Sequence, residues 1–222
     1  MADYHFGKSY REINRLADGR EVRLRPVKAG DKALFLEALE RLSPESRYSR
    51  FLAAKSNLSD KELHYLTEID GVNHFALGAL AGFGKDRKGL GVARFVRFPE
   101  EPDVADAAIV VTDDAQGQGL GRLLFLRLVA AARERGINRF HCDVLAENER
   151  MRKLLHELSP GARDQPDGLA VCVDMPLLDV AADAPSRPGL SGPLYRVFML
   201  AAQGKVLVRR TQEGLKSWLG PH

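Results

Sequence analysis

Gln116-Gly117-Gln118-Gly119-Leu120-Gly121 is the stretch that decides the fold, because of what stands on either side of it. Before it runs Ala108-Ile109-Val110-Val111, a short apolar segment with β-branched residues that reads as a strand. Thr112-Asp113-Asp114 breaks that run, and Arg122-Leu123-Leu124-Phe125-Leu126-Arg127-Leu128-Val129 carries apolar residues at helical spacing. The order is strand, glycine-rich turn, helix. The first N–H groups of such a helix have no intrahelical partner, and together with the helix dipole they form a site for phosphate. Glycines let the backbone approach an anion closely and adopt positive φ. The pattern therefore predicts a ligand that carries phosphate.

The run lacks the Gly-Lys-Ser/Thr ending of a P-loop, which argues against ATP or GTP held in that manner. It lacks Gly-x-Gly-x-x-Gly and begins past residue 100 instead of opening a βαβ unit, which argues against a dinucleotide. Gln116, Gly119 and Gly121 meet another pattern, Gln/Arg-x-x-Gly-x-Gly/Ala, and in this the segment resembles the pyrophosphate loop of the GNAT superfamily of acyl-CoA-dependent N-acyltransferases. Further along, Gly136 reads as a helix C-cap, and Arg139-Phe140-His141-Cys142-Asp143-Val144-Leu145 reads as a second strand. Ala146-Glu147-Asn148-Glu149-Arg150-Met151 then opens another helix, and Asn148 matches an Asn that in the superfamily follows the fifth strand and often contacts the cofactor. Val22-Arg23-Leu24-Arg25-Pro26 with Gly30-Asp31 resembles the superfamily's first strand and helix, so the likeness covers roughly residues 20–176. Leu42-Ser43-Pro44-Glu45-Ser46-Arg47-Tyr48, Arg50-Phe51 and Val144-Leu145-Ala146-Glu147-Asn148 resemble the bacterial protein-lysine acetyltransferases of the Pat type.

The resemblance implies an α/β fold: a mixed, mostly antiparallel sheet flanked by helices, in one domain with a C-terminal helical tail. It implies acetyl-CoA as acyl donor and a primary amine as acceptor, in the Pat subgroup a protein lysine. The pyrophosphate would be gripped by Gln116 and by the N–H groups of Gly117, Gln118, Gly119, Leu120, Gly121 and Arg122. Ile109, Val110 and Val111 match the positions whose backbone pairs with the pantetheine arm, with the Val111 N–H facing the thioester oxygen. The Pat-type strand begins Ala-Glu-Phe-Ala, whereas this chain has Ala105-Asp106-Ala107-Ala108. Asp106 thus stands where a general-base Glu is expected, one methylene shorter and suited to act through a water. A carboxylate at an exposed strand start, with no catalytic role, is the competing interpretation. The superfamily's acid, a Tyr seven residues after the Asn, is replaced by Leu155, so no acid is assigned. His141 and His156 read as surface or strand-edge histidines, and Arg94 and Arg97 as the wet face of a strand. Arg47, Tyr48 and Arg50 fall where the acceptor site is usually built.

The remaining composition sets bounds. The chain has 222 residues, 45% hydrophobic and 28% charged, an ordinary globular balance with length enough for a proper core. No run of eighteen apolar residues exists, and residues 1–20 carry charges throughout without the apolar centre of a signal peptide. A cytoplasmic protein without a membrane partner is expected. A formal charge of +3 is too small to argue for nucleic acid. Cys142 and Cys172 have no metal-ligand spacing and read as two reduced, buried thiols; no metal is expected.

Strands are expected at 21–26, 73–81, 90–98, 104–111, 139–145 and 169–175, and helices at 31–42, near 44–53, and at 60–69, 119–135 and 147–157. Residues 1–19 read as an extension, 20–178 as the catalytic domain, 179–193 as a linker centred on Ala184-Pro185-Ser186-Arg187-Pro188-Gly189, and 194–222 as the helical tail. The tail's apolar face calls for packing on the domain or on a second subunit, so a homodimer is admissible. Two other functions compete with lysine acetylation: acetylation of a small amine, and a non-catalytic acyl-CoA-binding regulatory module. A nucleotide-regulated enzyme of the Pat kind would need a cyclic-nucleotide domain, which the sequence does not suggest.

Overall fold

The computed structural model describes residues 4–44, 46 and 57–177. Arg47, Tyr48, Arg50, the linker and the helical tail lie outside the described residues. Eight strands form one sheet: β1 (Glu12–Arg15), β2 (Glu21–Pro26), β3 (His74–Ala81), β4 (Lys88–Arg97), β5 (Val104–Val111), β6 (Arg139–Leu145), β7 (Arg163–Asp167) and β8 (Ala170–Pro176). Their spatial order is β1-β2-β3-β4-β5-β6-β8-β7, and every neighbouring pair is antiparallel except β5 and β6. Two parallel strands cannot be joined by a tight turn, and a helix makes this crossover. The sheet is mixed and mostly antiparallel, with helices on its faces, as the sequence implied.

The crossover helix α3 (Leu120–Arg133) turns Leu120, Leu124, Phe125, Leu128 and Val129 to the sheet, the i, i+3/i+4 pattern of an amphipathic helix. Its Phe125 ring meets Phe140 edge to face at 6.0 Å, and Phe140 lies 6.1 Å from Phe95. Each fully buried side chain of this size contributes about 1.5–3 kcal/mol. Contact with β4 is so close that a Cβ on Gly91 would lie 2.8 Å from Val110 O and 3.2 Å from Leu124 Cδ1. The helix ends as read from the sequence: Gly136 has φ 75°, and Ile137 N–H donates back to Ala132 O at 3.0 Å. Helix α4 (Glu149–Leu158) shares the α3 face, where Met151, Leu154 and Leu155 join the core.

The opposite face carries α1 (Lys32–Glu40) and α2 (Asp60–Thr67). Ser59 caps α2: its hydroxyl accepts from Glu62 N–H at 3.4 Å while the Glu62 carboxylate accepts from Ser59 N–H at 2.9 Å. A buried, bidentate pair, Arg25 to Asp31 at 2.6 and 2.7 Å, fixes the start of α1 against β2. Burial alone would raise the Asp31 carboxyl, but the Arg25 guanidinium and the Lys28 N–H outweigh it and hold it below its ordinary value.

Two strands have no counterpart in the sequence reading. β1 contains one apolar residue, Ile13, which is exposed, so it shows no alternation to detect. Register with β2 and the Glu12–Arg127 pair at 2.7 Å hold it, and Phe6, Tyr10 and Leu16 beside it enter the core. β7 is polar throughout and exists as the outer half of a hairpin with β8, whose turn holds Gly168 at φ 62°.

Candidate active site

The parallel ladder between β5 and β6 has three rungs, Val104↔Arg139, Ala105↔Phe140 and Asp106↔His141. It ends there, while β5 runs on to Val111 and β6 to Leu145. β5 stays paired with β4 as far as Val111, and β6 with β8 as far as Leu145, so the two halves of the sheet part beyond Asp106. Thr112 N–H donates to Leu90 O at 2.9 Å across the β4 side. Strand alternation then directs the N–H groups of Ile109 and Val111 to the other edge, facing the gap. Val110 turns its N–H toward β4, and its side chain lines a cavity of about 90 Å³ beneath α1, together with Val27, Leu34, Phe35, Val92 and Arg94.

At the far end of β5 the chain makes a single 3-10 turn (Asp113–Ala115) and enters the glycine loop. Gly117 and Gly119 have φ of 75° and 84°, a region costly for any residue with a Cβ. Gly119 is the N-cap of α3 and supplies no side-chain cap, so the first turn of α3 is left to other acceptors. Gly121 is buried within that turn, as is Leu120. Gln118 O accepts from Ala17 N–H at 3.3 Å, which ties the loop to the hairpin between β1 and β2. Gln116 folds inward, donating to Asp113 Oδ1 at 2.8 Å and Val111 O at 3.3 Å. Arg122, on the first turn of α3, is partly buried; burial lowers its pKa to about 9 against the opposing charge of Glu157, so it remains a cation at neutral pH. Asn148 is buried, and its Oδ1 caps α4 by accepting from Met151 N–H at 3.1 Å.

Asp106 is 5% exposed, in the middle of the sheet, and therefore is not an exposed strand-end carboxylate. Its side chain shares the α1 face with Ala108 and Val110. Across the strands one row on that face reads His74, Val96, Asp106, His141, Asp174 and Arg163. Leu155 is fully buried in the core, which accounts for the apolar residue at the position of the superfamily's acid.

Several side chains stand differently from their reading in sequence. Arg94 is buried and not on a wet face: it donates to Leu66 O at 3.1 Å and lies 3.3 Å from His74 Nε2. His156 is at the surface as read, its side chain 41% exposed, and it fastens α4 to β7: it lies 2.7 Å from Asp164, which Arg152 also holds at 2.6 Å. Cys142 is buried on the α3 face, whereas Cys172 is half-buried on the other. Burial, reinforced by Asp106, pushes the Cys142 thiol up. Two residues not singled out in sequence, Asp113 and Asp114, join the loop to the segment after α1. Asp113 accepts from Ser43 N–H at 2.5 Å and Ser46 Oγ at 2.6 Å, and Asp114 binds Arg41 at 2.7 Å. Only their place after an apolar strand hinted at a structural role.

A sheet that parts beside a buried carboxylate, with an uncapped glycine-led helix at the end of the same strand, defines an acyl-CoA-dependent acyltransferase fold. Residues 34–159 match the acetyltransferase (GNAT) family, and the chain belongs to that family. It is 32% identical over 160 residues to acetyltransferase PA5475 of Pseudomonas aeruginosa, covering 72% of this chain and 86% of that one. It is 34% identical over 167 residues to acetyltransferase Pat of Mycolicibacterium smegmatis, covering 73% of this chain but 48% of that longer protein. The GNAT domain of S. lividans PAT superposes with a TM-score of 0.68 at 30% identity, over 80% of this chain and all (100%) of the domain. The chain is a GNAT acetyltransferase that works by acetyl-CoA-dependent acyl transfer. Among the described residues no helix is long and apolar enough to cross a membrane, and no group of three or more His, Cys, Asp or Glu could hold a metal ion.

Proposed function

We propose that the protein moves the acetyl group of acetyl-CoA to the ε-amine of a protein lysine, with Asp106 drawing the ammonium proton through a water. The observation that carries this reading is the parting of β5 and β6 immediately beyond Asp106, with the Gly119-led helix at the other end of β5. A pantetheine arm laid in that gap would meet the N–H groups of Ile109 and Val111 and bring its thioester toward Asp106. Its pyrophosphate would reach the loop from Gln116 to Arg122, where uncapped N–H groups, the helix dipole and the Arg122 cation favour an anion. Gln116 serves this site by shaping the turn and Asn148 by fixing the start of α4. The acceptor as a protein lysine follows the likeness to the Pat acetyltransferases of M. smegmatis and S. lividans.

The test is incubation of a cell extract with isotopically labelled acetyl-CoA and the purified protein, read by mass spectrometry of lysine-acetylated peptides. Labelled sites that appear with the wild type and disappear with Asp106→Asn support the reading. Labelling confined to a small-amine fraction overturns the protein acceptor. The absence of any labelled product, with CoA still bound, supports a regulatory binding module instead.

A further inference from the structure

A proton taken up by Asp106 is left at a carboxylate that is 5% exposed, and it must reach solvent before the next turnover. The reaction removes two protons from R–NH₃⁺. One is lost before attack; the other is lost as the C–N bond forms and the C–S bond breaks, and it ends on the sulfur of CoA. One proton per turnover is therefore released, and a group that leads it from the buried carboxylate toward solvent serves the cycle.

His141 stands where an exit is required. It is the register partner of Asp106 on the last rung of the parallel ladder, so the two side chains leave the same face of strands spaced about 4.8 Å apart. Its ring Nε2 lies 3.4 Å from Asp174 Oδ1 on β8, and both side chains are 20% exposed. Phe98 packs against the ring at 5.5 Å and restricts its orientation. The charged groups around it are Asp106 on β5, Asp174 on β8, and Arg139 and Asp143 on its own strand, with Arg163 of β7 beyond Asp174. Arg139 also reaches Asp174, at 3.7 Å. A neutral imidazole accepts a proton at one nitrogen and releases one from the other, which suits it to carry a proton from a buried carboxylate toward solvent.

We propose that His141, beside Asp174, is a positioning residue that receives the ammonium proton from Asp106 and passes it to solvent. This rests on Asp106 as the base. In the cycle the amine N–H bond breaks toward water, the water's proton moves to Asp106, Asp106 gives it to His141, and His141 releases it beside Asp174. No oxidant or further reactant is required.

The test follows CoA release from acetyl-CoA with poly-L-lysine as acceptor. His141→Gln is expected to slow turnover about tenfold, below the span of direct proton transfer, with KM for acetyl-CoA unchanged and partial rescue by imidazole buffer. A normal rate and pH profile in His141→Gln, with Asp106→Asn slow, overturns the relay and leaves Asp106 as base. A normal rate in Asp106→Asn overturns the reading of Asp106 itself.

Discussion

Asp106 and His141 face each other on the last rung that joins β5 to β6, and the sheet opens directly beyond them. Asp106 shares the α1 face with His141, whereas the glycine loop stands at the far end of β5. Its chemistry should therefore be separable from cofactor binding.

Asp106→Asn is expected to lower the acyl-transfer rate by roughly 10²–10⁴ near neutral pH, the usual span for a general base. CoA affinity, measured by calorimetry, should stay unchanged, since the loop that would hold the pyrophosphate lies at the other end of β5. Raising the pH should partly restore the mutant, because more amine then arrives deprotonated. Asp106→Glu should remain active.

Bound CoA is expected to stabilise the fold by about 2.7 kcal/mol at a hundred times its dissociation constant, seen as a higher Tm. Gly119→Val should abolish that shift. No atom lies within 4 Å of a Cβ built on Gly119, so the apo protein should stay folded. The φ of 84°, which valine resists, would instead move the first turn of α3. A full CoA shift in the mutant would place the anion elsewhere.

His74 should give the protein an acid-sensitive stability. Burial first, and then the charge of Arg94, lowers its pKa from 6.5 to about 3, against a smaller opposing pull from Asp70. The folded state resists a proton that the unfolded chain accepts, so stability present above pH 6.5 is lost as pH falls toward 3. At pH 5 the loss is about 2 kcal/mol relative to pH 7, from 1.36 kcal/mol per unit. Urea denaturation of wild type and His74→Gln at both pH values should show a shallower loss in the mutant.

Glu12 anchors β1 to α3 through Arg127. Burial opposes its charge, but hydrogen bonds from Arg127 and Tyr10 outweigh burial and bring its pKa to about 2. That stability is present above about pH 4.5 and fades as pH falls through 2. Glu12→Gln is expected to cost about 1.5–3 kcal/mol, the range for a hydrogen bond to a charged group, and to raise amide exchange across residues 12–15.

Much of the fold was legible because its signals are local. The β5 run, the glycine turn and the α3 pattern lie in consecutive residues, and so does the Ser59 capping box. β1 and β7 were not, because neither has an apolar alternation and each exists only through its partner strand. Arg94 looked solvated for a similar reason. An arginine on a strand is usually wet, and only the packing of α2 over β4 supplies Leu66 O as its acceptor.

The sequence by itself determined the order of elements from β2 to β6, the positive-φ glycines that lead α3 and the carboxylate near the start of β5. Each of these depends on backbone preference or on hydrophobic spacing within one segment. Only the tertiary structure decided that the ladder between β5 and β6 stops at Asp106, that His141 and Asp174 share its row, and that Gln116 folds back onto Asp113. Those relations join residues from separate strands and turns. Their register is set by how the whole sheet packs against α3 and α4, which no single stretch of the chain encodes.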